Sequence, residues 1–205
     1  MKRHYLQGIP LLLLLSACAS YAVRTVPINV PTAYPNKSIV GELTFVADVY
    51  GTAAKYRSVF DTIPSYERGY LGVNLIFFND SGNTVSVDPS AITCTTRSGT
   101  IIDHVPATQV AEQVLRSTTG RYFAGGVIAA GSSKGANDRI RGDFAAKALK
   151  ARDLPPGSRS QGFVFFSNVE PLQTLTIRGI RNAGDGTSIA VDISMPIIPL
   201  YRPVS

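Results

Sequence analysis

Apolar and polar side chains alternate along several short stretches of the chain. In the stretch 43–50, apolar residues at the odd positions are separated by polar residues such as Thr44 and Asp48. This period of two predicts a β-strand with one face toward a core and the other toward water. Comparable strand-like runs occur at 43–50, 70–78, 84–97, 163–167, 172–178 and 187–195.

None of these runs can bury an apolar face alone, so they are expected to pack as two sheets around one core. The predicted fold is mainly β: an immunoglobulin-like antiparallel β-sandwich. It forms a single domain at residues 39–200. The side chains expected to supply its core are Phe45, Val73, Leu75, Phe77, Ile92, Phe163, Phe165, Leu175, Ile177, Ile189, Val191 and Ile193.

The residues at 103–153 follow a different period and predict an α-helical insertion between two strands. Ala107, Val110, Ala111 and Val114 recur at helical spacing behind Pro106, which favours a helix over 107–116.

A second helix is expected over 138–151. Ile140, Phe144 and Ala148 would share one face of it, and its last turn would carry the basic side chains of Lys147, Lys150 and Arg152. We expect this insertion to cover one end or one sheet edge, and a protein partner to use the edge left open.

The first residues have the layout of a secretory signal. Lys2 and Arg3 precede the apolar run 9–15, and small residues follow it. A run of this length is too short to cross a bilayer, which takes about 20 apolar residues.

The stretch Leu15-Ser16-Ala17-Cys18 resembles the lipobox of bacterial lipoprotein precursors. The resemblance implies removal of residues 1–17 and attachment of lipid, including acyl chains such as palmitate, to Cys18. Within that family, a residue such as Ala19 after the cysteine is typical of sorting to the outer membrane, which implies an anchored and periplasm-facing protein in a two-membrane bacterium. Cleavage after Ala19 or Ala22 by an ordinary signal peptidase, or a buried N-terminal helix, are the alternatives.

Residues 18–38 contain Pro27, Pro31 and Pro35 and show no helical period. Proline at this spacing favours stiff, extended chain, which predicts a tether between lipid and domain. Part of this stretch could equally form a first edge strand.

Charge argues against nucleic-acid partners. Removing residues 1–17 also removes Lys2 and Arg3, so 18 of the 20 basic residues and all 14 acidic ones remain, a net charge of +4. This excess is mild, and its members are scattered without interleaved aromatics.

Cys94 shares a strand face with Ile92, which predicts a buried and inert thiol. His104 is the only histidine after residue 17, so we predict neither a metal site nor a cofactor.

One motif suggests catalysis. The glycines and serine of Gly131–Gly135 match G-x-S-x-G, with Ser133 as nucleophile. Its base would have to be His104, which precedes the serine although the hydrolase order places the histidine after it. We therefore predict no enzyme activity and no catalytic residue.

Taken together, these features predict a lipid-anchored envelope protein that binds or scaffolds an envelope partner. The alternatives are a soluble periplasmic ligand-binding protein with a deep apolar pocket and a serine hydrolase using Ser133. The sequence indicates no oligomeric state.

Overall fold

Antiparallel β-sheet dominates the structure, as the alternating runs predict. The computed structural model of the protein describes residues 21–115, 134–198 and 200. The proposed signal at 1–17, Cys18 and Ser133 lie outside the described residues. The ten strands are β1 (Lys37–Val40), β2 (Leu43–Val49), β3 (Tyr70–Asn79), β4 (Val85–Val87), β5 (Ile92–Thr96), β6 (Ile101–Val105), β7 (Arg152–Leu154), β8 (Ser158–Ser167), β9 (Leu172–Asn182) and β10 (Ser188–Ser194).

Two sheets can be followed through the strand pairing. In the first, β1, β2, β3 and β8 pair in that order. In the second, β9 pairs with β10 on one side and with both β4 and β5 on the other, and β7 pairs with β4. The strand β6 joins the sheets, because 101–103 pair with β5 and 104–105 pair with β8.

The sheets share one apolar core. Of the side chains expected in it, the following are buried in a single cluster: Phe45, Val73, Leu75, Phe77, Ile92, Leu175, Ile177, Val191 and Ile193. Ile189 packs against this cluster and is partly buried.

Phe163 and Phe165 are buried, but they lie on the opposite face of β8 from the shared core. Val164 and Phe166 of the same strand occupy the shared core instead. Neighbouring residues of a strand point to opposite faces, and this stretch is apolar at every position, so alternation alone could not tell which pair faces the other sheet.

Helices cover that outer face of β8. They are α1 (Ala53–Arg57), α2 (Ala107–Gln113) and α3, which spans 134–147 in the described part of the chain. The rings of Phe144 and Phe165 stack at 5.5 Å between centroids, and Phe60 lies 4.5 Å from Phe144. The described helices of the insertion thus pack on a sheet face. The residues that follow α3 also bond to one edge of β8, where Ala148 bridges to Phe163, so both a face and part of an edge are covered.

Both predicted helices are present, with different bounds. Helix α2 ends at Gln113, and α3 is already helical at 134 and ends at 147 instead of 151. The chain leaves α3 early because the backbone N–H of Leu149 donates to the carbonyl of Phe163 at 2.9 Å. Arg152 consequently begins β7. Since β6 continues to Val105, the bounds 103–153 for the insertion are too wide at both ends.

The described part of the predicted tether lies against the domain. Tyr21 is only 2% exposed, and Tyr34 packs with Val46 and Ile76 on the outer face of the first sheet. The chain then enters β1, an edge strand that pairs with β2. From Tyr21 onward, this segment is part of the folded body.

Candidate functional site

A pocket of about 380 Å³ lies between the N-terminal segment 23–26, the end of α3 and strand β8. Ala146 and Lys147 at the end of α3, with Ala148 directly after it, form one wall. Gly162 and Phe163 of β8, with Asn74 of β3, also line it. We call this cavity the N-terminal pocket.

The N-terminal segment is held over the pocket by polar contacts. The hydroxyl of Tyr21 donates to Oδ2 of Asp143 at 2.6 Å, and the backbone N–H of Ala22 donates to Asp61 at 3.0 Å. The side-chain amide of Gln161 donates to the carbonyl of Val26 at 2.6 Å. Residues from α3 and β8 thus fix both ends of the segment.

Gly162 lets the residues directly after α3 approach β8. A Cβ placed on this glycine would lie 2.4 Å from Cα and 2.7 Å from the backbone N of Leu149. Any larger residue would push residues 148–149 away from β8, so the close approach needs glycine here.

A buried ion pair stands beside the pocket. Lys147 donates to both carboxylate oxygens of Asp143, at 2.6 and 2.5 Å, and also to the carbonyl of Val59 at 2.9 Å. The two side chains are 11% and 1% exposed. The ammonium also lies 4.8 Å from the ring centroid of Phe60, a cation–π geometry.

Burial shapes the protonation of this cluster. It lowers the pKa of Lys147, against the opposing effect of the Asp143 carboxylate. It raises the pKa of Tyr21 far above the usual range, and the hydrogen bond to Asp143 adds to that rise. Tyr21 is therefore a neutral donor to Asp143 throughout the ordinary pH range.

Two arginines complete the basic side of the pocket. Arg24 lies 3.6 Å from the carboxylate of Asp61. Arg152 is exposed and donates to the hydroxyl of Ser160 at 2.8 Å, and it pairs with no carboxylate among the described residues.

Asn74 is the polar residue that sequence reasoning missed. It is 1% exposed, and its Nδ2 donates to Oε1 of Gln161 at 2.9 Å, whereas its Oδ1 has no hydrogen-bond partner among the residues that the structure describes. The available signal was a lone amide inside the otherwise apolar central run 71–78, because a buried polar group in a strand needs a partner.

Of the two residues considered for catalysis, the structure describes His104 alone. His104 is half-buried on β6, with Nδ1 3.3 Å from the carbonyl oxygen of Ile92. Ser133 lies outside the described residues. Arg152 and Lys147, which were expected only to complement a helix dipole, instead line the pocket.

Cys94 is fully buried on β5 and is a free thiol. Burial raises its pKa to about 12. The prediction of a buried thiol on the Ile92 face is confirmed, since both side chains belong to the core between the sheets.

No group of three or more histidine, cysteine, aspartate or glutamate side chains among the described residues could hold a metal ion. No helix within the described ranges has the length and apolar character needed to span a membrane.

Comparisons with known proteins find similarity to a solved structure. No family model and no curated protein matches the chain. The crystal structure of the yjhA protein from Bacillus subtilis is similar over 77% of this chain and 96% of that chain, with 10% sequence identity and a TM-score of 0.40.

Proposed function

We propose that this protein is a lipid-anchored lipoprotein of the bacterial outer membrane, facing the periplasm, and that it acts as a non-catalytic binding module. The lipobox-like stretch Leu15-Ser16-Ala17-Cys18 supports the anchor. The N-terminal pocket supports the binding role, because pockets of about 300–1,000 Å³ with a few convergent polar groups are typical of ligand sites.

The hydrogen bond between Tyr21 and Asp143 is the observation that connects these two features. Tyr21 is the third residue after Cys18, and three extended residues reach at most about 11 Å. Because Tyr21 is attached to α3 beside the pocket, a lipid on Cys18 would hold this side of the domain against the bilayer. The anchor would therefore orient the pocket as well as retain the protein.

Scaffolding is the second candidate role. Strand β1 ends its sheet, and no strand pairs with its outer edge in the part of the chain that the structure describes. Ile39 on β1 is 62% exposed. Such an edge could accept an extended strand from an envelope protein. Crosslinking from Ile39 in intact cells would identify that partner.

We propose in addition that the fold is an immunoglobulin-like sandwich. An immunoglobulin-like sandwich is supported by two antiparallel sheets around one core and by β6, which passes between them. Such domains often bind through edges and loops without chemistry of their own, which agrees with a role that is not enzymatic.

The anchor is tested by labelling the full-length protein with palmitate in a two-membrane bacterial host. The chain offers a matched control, because its other cysteine is Cys94. We expect label in the wild type and in Cys94→Ala, and none in Cys18→Ser. A single acyl chain holds a protein at a membrane only marginally, whereas two hold it stably. Because Cys18→Ser would carry no acyl chain, it should also leave the outer-membrane fraction or remain unprocessed. An unlabelled mature protein that starts at Ser20 or Val23 would overturn the anchor.

A further inference from the structure

We infer that the N-terminal pocket binds a small organic anion that carries an N–H or O–H donor next to its negative group. The inference deepens the binding role proposed above and is independent of the lipid anchor. It rests on the direction of one hydrogen-bond chain, on the charges around the pocket, and on its apolar lining.

The hydrogen-bond chain shows that the pocket offers an acceptor. The carbonyl of Val26 can only accept, so Gln161 must present its NH₂ group to it. Oε1 of Gln161 is then left to accept from Nδ2 of Asn74. The backbone carbonyl thus fixes the orientation of both side-chain amides, and the atom left over is Oδ1 of Asn74.

An unpartnered acceptor on a side chain that is 1% exposed is unfavourable unless a donor meets it. Asn74 lines the pocket, where a ligand could bring such a donor. Gln161 holds the amide in this orientation. Oδ1 has less than 1 Å² of accessible surface, so a neighbouring side chain of the lining must shift before a ligand donor reaches it.

The charges of the pocket favour an anion. Its lining contains three basic side chains, Arg24, Lys147 and Arg152, and one acidic side chain, Asp143. Asp143 is neutralised by Lys147, and Arg24 lies near Asp61. Arg152 lacks a carboxylate partner within the described ranges, and a guanidinium can hold a carboxylate through two parallel hydrogen bonds.

The remaining lining limits the body of the ligand. Val23, Val26, Ala146 and Phe163 present apolar surface, and the volume of about 380 Å³ is near the lower end for ligand sites. A compact molecule with an aliphatic group fits this surface, with its negative group toward Arg152 and its donor toward Asn74.

Three probes separate these features. N-acetylleucine has the carboxylate, the N–H donor and the aliphatic group. N-acetylleucinamide lacks the negative charge, and 4-methylpentanoate lacks the N–H donor. Each is titrated into the ¹⁵N-labelled full-length protein, and amide shifts are followed by NMR. We expect saturable shifts at Val26, Asn74, Ala146 and Gly162 with N-acetylleucine. We expect at least about tenfold weaker binding of the other two probes, since each leaves a buried or charged group without its partner.

Variants locate the site on the protein. Arg152→Gln should weaken N-acetylleucine about tenfold, whereas Arg139→Gln, an exposed cation of α3 that does not line the pocket, should leave the affinity unchanged. Asn74→Asp should also weaken the binding of N-acetylleucine, because the new carboxylate would repel the carboxylate of the ligand. If Asn74→Asp does not fold, the comparison with 4-methylpentanoate still tests the donor.

Several outcomes would overturn the inference: no saturable shift with any probe, equal affinity for all three, shifts confined to residues away from the pocket, or equal effects of Arg152→Gln and Arg139→Gln. The palmitate experiment on Cys18 is separate. If no probe binds while palmitate still labels Cys18, the ligand proposal fails and the anchor stands. If a probe binds while Cys18 is not labelled, the anchor fails and the ligand proposal stands.

Discussion

The hydroxyl of Tyr21 and the carboxylate of Asp143 are joined by a 2.6 Å hydrogen bond across 122 positions of the sequence. This contact attaches the N-terminal segment to α3, and both residues are buried. It links the start of the described chain to the wall of the N-terminal pocket.

Tyr21→Phe tests the contact by removing only the hydroxyl. We expect a loss of about 1–3 kcal/mol in the free energy of unfolding, because Asp143 loses a buried donor but keeps Lys147. The segment before Val26 should also become more sensitive to protease under native conditions. Urea unfolding and limited proteolysis measure the two effects, and unchanged cleavage would show that the hydroxyl does not hold the segment.

Asp143→Asn should be more damaging, since it leaves the ammonium of Lys147 without its counterion. Breaking a buried pair in this way typically costs about 3–5 kcal/mol. The control is Asp138→Asn on the same helix, where the carboxylate is 60% exposed and pairs with Arg141. Urea midpoints should fall clearly for the first variant and barely move for the second. Similar shifts for both would contradict a structural role for the buried pair.

Alanine substitution at two glycines of one region should change the stability of the protein in opposite directions. Gly162→Ala would force a Cβ against Leu149 and should destabilise the fold by about 1–3 kcal/mol. Gly142 lies within α3, and a Cβ added to it would meet no neighbouring atom within 4 Å apart from the backbone of its own helix. Gly142→Ala should therefore stabilise the protein by about 0.5–1 kcal/mol. Thermal unfolding of the pair gives the signs directly, and a neutral Gly162→Ala would show that residues 148–149 can move.

Cys94 predicts a pH dependence. Its pKa is about 12 in the folded protein against an ordinary value of 9.0, so the unfolded chain gives up the thiol proton first. The stability that this group contributes is fully present below pH 9 and is lost as the pH rises toward 12.

The check on Cys94 combines two measurements. Between about pH 9 and 10.5, the unfolding free energy should fall less steeply in Cys94→Ala than in the wild type. Iodoacetamide should modify Cys94 at about pH 8 only after unfolding in urea, because the native thiol is protonated and fully buried. Rapid native modification at Cys94 would contradict this assignment.

Sequence patterns predicted the β character and most of the core, because strands with one solvent-exposed face alternate apolar and polar residues. They failed at β8, where Phe163, Val164, Phe165 and Phe166 are all buried, and no polar position marks which face meets the other sheet. The two helices were found from their apolar spacing. Their bounds were less accurate, since the end of α3 is set by a tertiary hydrogen bond between Leu149 and Phe163.

The pocket could not be predicted, because its parts are far apart in the sequence. Val26, Asn74, Lys147 and Gln161 meet only after the N-terminal segment, the first sheet and α3 have packed together. Asn74 alone carried a local signal. Arg152 carried no such signal, since a basic side chain near the C-terminus of a helix usually points into solvent.

Strand β6 has a consequence for how the domain comes apart. Its first residues are bonded to β5 and its last to β8, so neither sheet can separate from the other without breaking part of the same five-residue strand. Heat or denaturant should therefore disrupt both sheets in a single cooperative transition, with no partly melted form in which one sheet survives alone.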